Sequence, residues 1–244
     1  YIDHLVADLF EQRGDPASTA SRTIVVGGAM LGDRPVTVIG HRKGKTLEEN
    51  VRCNFGMPQP EGYRKAMRLM RQAEKFGRPV ITFVDTPGAY PGLEAERHGQ
   101  GEAIAQSIML MSSLTVPVIT LVTGEGSSGG ALAISVANSL WMLENAVYSV
   151  LSPEGFAAIL WKDGSRAADA AELMKLTAQE LAACGVADRV IPEPEHGFTG
   201  DCTAFYRDLR EQLIEEIELL SSRSGAALSS ERYKKFRAIG DCRS

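Results

Sequence analysis

The sequence is poor in the residue types that build metal sites and disulfide frameworks. Its 244 residues include only four histidines and four cysteines: Cys53, Cys184, Cys202 and Cys242. No two of these cysteines form a CxxC pair. Without that spacing we predict no metal site in this chain, and we expect a reduced, cytoplasmic setting.

Long apolar runs and an excess of positive charge are also lacking. No stretch approaches the roughly 18 consecutive apolar residues of a membrane helix, and residues 1–11 lack the hydrophobic segment of a signal peptide. The net charge of −5 gives no general affinity for nucleic acid. With 44% hydrophobic and 23% charged residues, the composition is typical of a globular protein. We therefore expect neither nucleic acid nor membrane among its partners.

Predicted strands and helices alternate along the chain. The strands are predicted at residues 35–39, 80–84, 116–122, 141–143, 148–151 and 187–191. The helices are predicted from Pro60 to Gly77, over 131–137, from Ser152-Pro153, and from the capping box Thr177–Glu180. A last helix carries the apolar stripe Phe205, Leu209, Leu213, Ile217 and Leu220 opposite a charged face of Arg207, Arg210, Glu211, Glu215 and Glu218. This alternation predicts a single α/β domain over 1–244, with a helical part at about 203–240 that packs on the core or a partner.

A glycine-rich turn between a predicted strand and a predicted helix concentrates the candidate chemistry. Four of the residues between Val122 and Ala131 are glycine. Glycine permits a left-handed backbone and lets a ligand approach the main chain closely. The first amides of a helix lack intrahelical acceptors and favour negative charge. The turn therefore predicts an anion site, and the alternative is that its glycines serve packing alone.

The turn matches a dinucleotide-binding pattern. Gly124-x-Gly126-x-x-Gly129 fits the fingerprint, and Glu144 follows where a ribose-binding acid belongs. Against it, the predicted helix is short and the motif lies in the middle of the chain. A P-loop does not fit, since no lysine follows Gly129.

The same turn matches a nucleophile elbow. Gly126-x-Ser128-x-Gly130 fits the pattern, and Asp188 and His196 follow in the order of an α/β-hydrolase triad. Short glycine-serine strings satisfy this pattern by chance.

An oxyanion hole is the third interpretation. Successive amides at Gly129, Gly130 and Ala131 would donate to an oxygen that becomes negative during a reaction. This interpretation demands glycine without demanding a catalytic side chain. Glu125 is a candidate base or a charged lip of the turn, and Asp85 a candidate acid or a simple strand end.

Several long strings resemble one enzyme family. PVITLVTGEGSSGGALAI (117–134) resembles the glycine signature of the crotonase superfamily. NFGMPQPEGYRKA (54–66), FVDTPGAYPG (83–92), YSVLSPEG (148–155) and ILWK (159–162) resemble the alpha subunits of acetyl-CoA carboxylase carboxyltransferases. The likeness extends over nearly the whole chain, although members usually carry an additional N-terminal helical segment. Two stretches depart from it, Asp15 to Arg22 and His196 to Cys202, and we expect both to be surface loops.

The resemblance implies a crotonase-like ββα-spiral fold and a biotin-dependent carboxyl transfer. Members transfer a carboxyl group from carboxybiotin, on a separate carrier protein, to acetyl-CoA, giving malonyl-CoA for fatty acid synthesis. The implied partners are a zinc-containing beta subunit on the acetyl-CoA side, the biotin carboxyl carrier protein and biotin carboxylase, in an alpha2-beta2 assembly. Because biotin itself acts as the base, no protein base is required.

The resemblance also assigns site residues. It makes the Gly129 and Gly130 amides catalytic, as the oxyanion hole for the biotin anion. The carboxybiotin side is assigned to Gly88, Tyr90, Gly92, Ser128 and Ala131. Tyr90 is either a wall of the biotin slot or a core residue. A basic cluster, Arg42, Lys43 and Lys45, either meets phosphates of coenzyme A or forms a solvated loop.

Three rival functions remain open at this point. A lone enoyl-CoA hydratase would need carboxylates to activate water, and only Glu125 and Glu154 lie near suitable positions. A serine hydrolase would use Ser128. A non-catalytic binding subunit is the third.

Overall fold

The computed structural model describes residues 1–12 and 21–240, and its strands form one mixed sheet. The strands are β1 (Ala7–Glu11), β2 (Ile24–Leu31), β3 (Arg34–His41), β4 (Val80–Thr86), β5 (Val118–Ser127), β6 (Ser139–Leu143), β7 (Val147–Ser149) and β8 (Arg189–Ile191). The order is β1-β2-β3-β4-β5-β6-β8, with β7 paired to β5. β1, β2 and β3 are antiparallel, and all later pairings are parallel. β4 and β5 are apolar runs because both of their faces are covered.

Helices cover the sheet. They are α1 (Ile2–Leu5), α2 (Leu47–Arg52), α3 (Pro60–Lys75), α4 (Leu93–Arg97), α5 (Gln100–Ser113), α6 (Ser128–Leu132), α7 (Pro153–Trp161), α8 (Ala167–Met174), α9 (Ala178–Ala183), α10 (Thr203–Ser221) and α11 (Gly225–Ala238). α3 packs on α5, β2 and β3, whereas α1 contacts α10 and α5 contacts α11. α7 and α8 pack chiefly on each other and on the turn between them.

The helix predicted from Pro60 to Gly77 is confirmed as α3. Proline occupies its first turn, where the missing N–H costs nothing. Gly77, at φ +64°, follows the last turn in the left-handed conformation that glycine adopts easily. The inward face, which includes Tyr63, Met70 and Ala73, is fully buried.

The predicted strands all appear with altered ends, but the helix predicted over 131–137 is wrong. The helix there is α6, which starts earlier and ends at Leu132. Residues 133–135 form a turn. Ile134 and Ala137 are nevertheless fully buried. The residues of this run are therefore apolar because they are buried, and not because they form one face of a helix. β2 is not among the predicted strands, because two glycines interrupt its apolar run.

The apolar stripe predicted for the last helix is confirmed in α10, although a further helix, α11, follows it and Phe205 is only partly buried. Leu209, Leu213, Ile217 and Leu220 are buried in the main core. The charged face of α10 is only partly exposed to solvent, because Arg210 on that face binds α1. Arg210 donates from Nε to the carbonyl of Leu5 (2.8 Å) and from Nη2 to that of His4, and so binds the last carbonyls of α1.

The two divergent stretches have different outcomes. Most of Asp15 to Arg22, like Cys242, lies outside the described residues. In His196 to Cys202, the Phe198 ring packs edge-on against Tyr1 and Phe205, with centroids 5.1 and 5.2 Å away. This stretch therefore anchors the N-terminal residues to α10 besides forming a loop. Among the described residues, no helix has the length and apolar character to cross a membrane.

Candidate functional site

Two loops meet at the carboxyl ends of β4 and β5. The strands are parallel neighbours in register from Val80–Val118 to Val84–Val122, so the segments after them emerge side by side. Gly88 follows β4 and Ser128 follows β5. A Cβ built on Gly88, which has φ +144°, would lie 3.9 Å from the Ser128 Cβ. The topology thus unites the predicted segments 87–92 and 127–131.

Gly130 is the contact point between the two loops. It is buried, and a Cβ built there would lie 2.4 Å from the Ala89 nitrogen and 2.5 Å from the Gly88 carbonyl carbon. These distances are far inside van der Waals contact, so only glycine fits. The Tyr63 hydroxyl, buried on α3, donates to the Gly130 carbonyl (3.3 Å). Burial raises the pKa of this phenol.

Ser128 holds an unusual backbone conformation at the start of α6. Its φ of +60° lies in the left-handed region, which costs an L-residue roughly 1–2 kcal/mol. The preceding Ser127 is the N-cap, and its side chain makes no capping hydrogen bond. By position, the amides of residues 127–130 lack intrahelical acceptors, whereas the Ala131 amide faces the carbonyl of the N-cap residue Ser127. The first turn therefore presents uncapped donors, with Gly129 half-buried and Ala131 fully buried.

The predicted support from the α6 dipole is reduced. α6 has five residues, and a macrodipole needs a longer run of aligned peptides. The individual amides, rather than the helix as a whole, supply the positive potential at this turn.

Tyr90 and Gly92 form the outer part of the loop after β4. The Tyr90 amide donates to the Pro58 carbonyl (2.9 Å), and Gln100 Nε2 donates to the carbonyls of Pro58 (2.9 Å) and Tyr90 (3.0 Å). A Cβ on Gly92 would lie 2.3 Å from Tyr90 Cε1, so glycine lets the ring lie against the backbone. Tyr90 is half-buried at the rim of the loop and not in the core.

Thr86 is a site residue that the sequence patterns did not indicate. Its buried hydroxyl donates to the Gly88 carbonyl (2.8 Å) and accepts from the Gly88 amide (3.1 Å). A hydroxyl residue next to Pro-Gly is the signal that identifies such a turn. Thr86 fixes the conformation that brings Gly88 against Gly130.

A charged cluster borders the glycine turn. Lys43 Nζ lies 2.7 Å from Asp85 Oδ1 and 2.9 Å from Glu125 Oε2. Burial alone would lower the pKa of Lys43, but hydrogen bonds and the negative charges of both carboxylates raise it above its ordinary value. The Glu125 carboxylate is therefore engaged by a cation, which disfavours it as the base of a hydratase.

Two of the three side chains in the predicted basic cluster, Arg42 and Lys43, are paired with carboxylates. Lys43 is bound by the two acids, and Arg42 Nη2 lies 3.3 Å from Glu11 Oε2. The Lys45 backbone amide donates to Glu49 Oε2 (2.7 Å). This arrangement favours a structural loop over a phosphate site.

The hydrolase interpretation is wrong in its geometry. The left-handed conformation of Ser128 is compatible with a nucleophile elbow, but the position of Asp188 is not. Leu121, Trp141 and Arg189 are in register across three parallel strands. Asp188, one residue before Arg189, therefore lies level with Thr120. The β5 ladder from Thr120 to Ser128 spans about six regular steps because of the irregularity between Val122 and Gly126, so at about 3.3 Å per step roughly 20 Å separates Asp188 from Ser128 along the strand direction. Asp188 instead accepts from the Leu140 amide (2.6 Å). Within the described residues, no hydrogen bond joins Ser128 to Asp188 or His196.

The dinucleotide interpretation also fails. The helix that should carry a pyrophosphate has five residues. Glu144, the candidate ribose ligand, accepts from the Glu193 backbone amide (3.1 Å) and so ties β6 to the chain after β8. In the described part of the chain, no group of three or more His, Cys, Asp or Glu side chains could hold a metal.

Comparison with known proteins shows the family to which the chain belongs. A family model described as acetyl co-enzyme A carboxylase carboxyltransferase-like matches residues 1–240. The acetyl-coenzyme A carboxylase carboxyl transferase subunit alpha of Clostridium acetobutylicum is 57% identical over 240 residues, covering 98% of this chain and 88% of the relative. The chain belongs to the acetyl-CoA carboxylase carboxyltransferase alpha-subunit family. The same subunit of Streptococcus equi subsp. zooepidemicus is 56% identical over 97% of this chain and 91% of the relative.

Solved structures of a malonate decarboxylase and of a transcarboxylase share the fold of this chain. A Pseudomonas malonate decarboxylase hetero-tetramer in complex with coenzyme A matches with a TM-score of 0.73 at 20% identity, over 91% of this chain and 86% of the other. The transcarboxylase 12S hexamer structure matches with a TM-score of 0.70 at 20% identity. There the match covers 88% of this chain but 39% of the transcarboxylase chain. The crotonase-like α/β fold is thereby confirmed, and the chain is a carboxyltransferase subunit.

Proposed function

We propose that this subunit provides the carboxybiotin side of the active site in which acetyl-CoA is carboxylated to malonyl-CoA. The observation that supports it best is the uncapped first turn of α6, held against the loop after β4 by the Gly88–Gly130 contact. In the family relatives, the name of the subunit states the reaction. The proposal assigns the chemistry to the main chain of this turn.

The turn fits an oxygen that gains negative charge. Carboxybiotin, when bound, would supply the carboxyl group and would present its ureido oxygen to the turn. The Gly129 and Gly130 amides would donate to this oxygen, with Ala131 completing the turn. One such donor typically contributes about 3–4 kcal/mol of transition-state stabilisation. Because the Ser127 side chain makes no capping hydrogen bond, these amides are available to donate to a ligand.

The other assigned residues shape the slot. Gly88 permits the close approach of the two loops, and the Ser128 backbone turns the chain so that the following amides face the same side. Tyr90, backed by Gly92, forms the rim on which the bicyclic ring would rest. None of these side chains transfers a proton in the proposal.

The beta subunit would contact an exposed apolar arm, which comprises α7, α8 and their flanking residues. The arm packs little on the rest of the chain. Its exposed apolar side chains are Val150, Ile159, Leu160 and Leu173, between 58% and 70% accessible. An apolar patch of this kind marks an interface, and an alpha subunit implies a beta subunit. The carrier protein would deliver biotin to the slot, biotin carboxylase would recharge it, and an alpha2-beta2 assembly is the arrangement that the family implies.

Reconstitution tests the function. The chain alone should show no carboxyl transfer, because the reaction has two developing oxyanions and this chain supplies one glycine turn. Addition of the beta subunit from the same organism, with carboxylated carrier protein, should yield malonyl-CoA. Robust transfer by the isolated chain would refute the division of labour. Steady hydration of an enoyl-CoA by the lone chain would favour a hydratase, and a mixture without activity would favour a non-catalytic subunit.

The interface is tested separately. Ile159→Asp should weaken association with the beta subunit in analytical ultracentrifugation. The control is Leu219→Asp, because Leu219 is comparably exposed, at 55%, on α10. Equal effects of the two variants would exclude the arm as the interface.

A further inference from the structure

β5 contains a bulge directly before the glycine turn. Val84 pairs with Val122, but the next registered pair is Thr86 with Gly126. Two steps along β4 therefore correspond to four along β5, and residues 123–125 have no registered partners on β4, although Glu125 pairs with Val147 of β7 on the other side. A bulge bends its strand and redirects the chain beyond it. Here the bulge sets the direction of the last two residues of β5, Gly126 and Ser127, and therefore of the chain that leaves the sheet at Ser128.

Asp85 lies opposite the bulge and binds it. Its Oδ1 accepts the Glu125 backbone amide (3.1 Å) on the side of β5 where the register with β4 is interrupted. A Cβ on Gly124 would lie 2.6 Å from the same oxygen. Glycine at 124 thus permits the carboxylate to reach the main chain. The carboxylate replaces, for this amide, the acceptor that a regular strand would provide.

Two further contacts hold Asp85 in place. Lys43 Nζ binds the same Oδ1 and also binds the Glu125 side chain, so one ammonium joins both sides of the bulge. The Asp85 backbone amide donates to His41 Nδ1 (3.3 Å) at the end of β3. The Lys43 and Asp85 side chains are each 31% accessible, so solvent screens this pair less than an exposed one.

We infer that Asp85, held by Lys43, is a positioning residue that orients the Gly126–Gly130 turn for carboxyl transfer. The inference rests on the proposed function of that turn. Asp85 acts through the Glu125 amide and does not contact the reacting atoms. Its essential property is therefore an acceptor oxygen at Oδ1 rather than a titrating carboxyl group.

Hydrogen–deuterium exchange of the isolated chain measures the positioning without any need for activity. In Asp85→Ala, the segment 123–131 should exchange at least about tenfold faster than in the wild type, since the bulge loses its acceptor. Asp85→Asn keeps a carbonyl oxygen and should stay within about threefold. Asp208→Ala is the matched control, because Asp208 is an exposed aspartate paired with Arg207 on α10.

Steady-state kinetics of the reconstituted complex complete the test. Asp85→Ala should lower kcat about 10- to 100-fold while KM for acetyl-CoA changes less than about threefold, and Asp85→Asn should restore most of kcat. Unchanged exchange in Asp85→Ala, or an Asn variant as impaired as the Ala variant, would overturn the inference. Faster exchange with an unchanged kcat would also overturn it. A failure of the proposed function would appear separately, as full activity in variants of the glycine turn itself.

Discussion

Substitution of Gly130 by alanine should damage both the packing and the reaction. The added Cβ would lie 2.4 Å from the Ala89 nitrogen and 2.5 Å from the Gly88 carbonyl carbon. Ordinary contacts between such atoms are about 3.5 Å, so the loop after β4 must move by about 1 Å relative to α6. Overpacking of this kind costs about 1–3 kcal/mol. At roughly 2–4 °C per kcal/mol for a chain of this size, Tm should fall by about 2–12 °C.

The effect on catalysis should exceed the effect on stability. A displacement of about 1 Å at a reacting centre can cost about 100-fold in rate, and misdirection of one oxyanion donor costs about 100- to 1,000-fold. Transfer by Gly130→Ala should therefore fall at least about 100-fold while circular dichroism still shows a folded chain. Gly130→Val should lose transfer altogether. The valine side chain is larger than that of alanine and would be buried, so it should also displace residues 88–89 and alter the fold locally.

Gly129→Ala is the matched control. A Cβ there meets Ile104 Cγ2 at 3.4 Å, its φ is not positive, and the backbone amide is retained. Its Tm should stay within about 2 °C of the wild type, and its rate should fall less than about tenfold, well short of the loss of one oxyanion donor. Wild-type rate and Tm in Gly130→Ala, or equal damage in the two variants, would refute the assignment of Gly130.

Three further results are expected. Ser128→Ala should retain transfer within about threefold, and a fluorophosphonate probe should not label the wild type, because the backbone and not the hydroxyl is used. Loss of transfer in this variant would refute the assignment of the site to the main chain. Arg232→Met should lower the free energy of unfolding in urea by about 3 kcal/mol, because the buried carbonyls of Met111, Leu114 and Val116 lose their donor. A change below about 1 kcal/mol would show that water replaces the guanidinium as donor. Burial, with a smaller contribution from a nearby lysine, lowers the pKa of His41 from 6.5 to about 3. The contribution of neutral His41 to stability is therefore complete above about pH 6.5 and disappears as pH falls toward 3. His41→Asn should flatten this pH dependence of the free energy of unfolding in urea titrations, and an unchanged slope would exclude His41 as its source.

The sequence by itself determined the family, the alternation of strands and helices, and the importance of the glycine turn. These are local properties. Apolar runs bounded by turn residues indicate β4 and β5, Pro60 and Gly77 delimit α3, and the consecutive glycines at 129 and 130 indicate chemistry of the main chain. Long family strings, such as residues 54–66 and 83–92, supplied the reaction that no spacing could reveal.

Tertiary structure decided which residues meet and for what reason. Gly130 could be assigned as an amide donor from sequence, but its need to be glycine also comes from the Gly88–Ala89 backbone, forty residues away in the chain. The Asp85–Lys43–Glu125 contacts depend on the register of three parallel strands and on a bulge. Non-local contacts of this kind leave no periodic signal in the sequence, because the pairing of strands, rather than the identity of neighbours along the chain, brings the groups together.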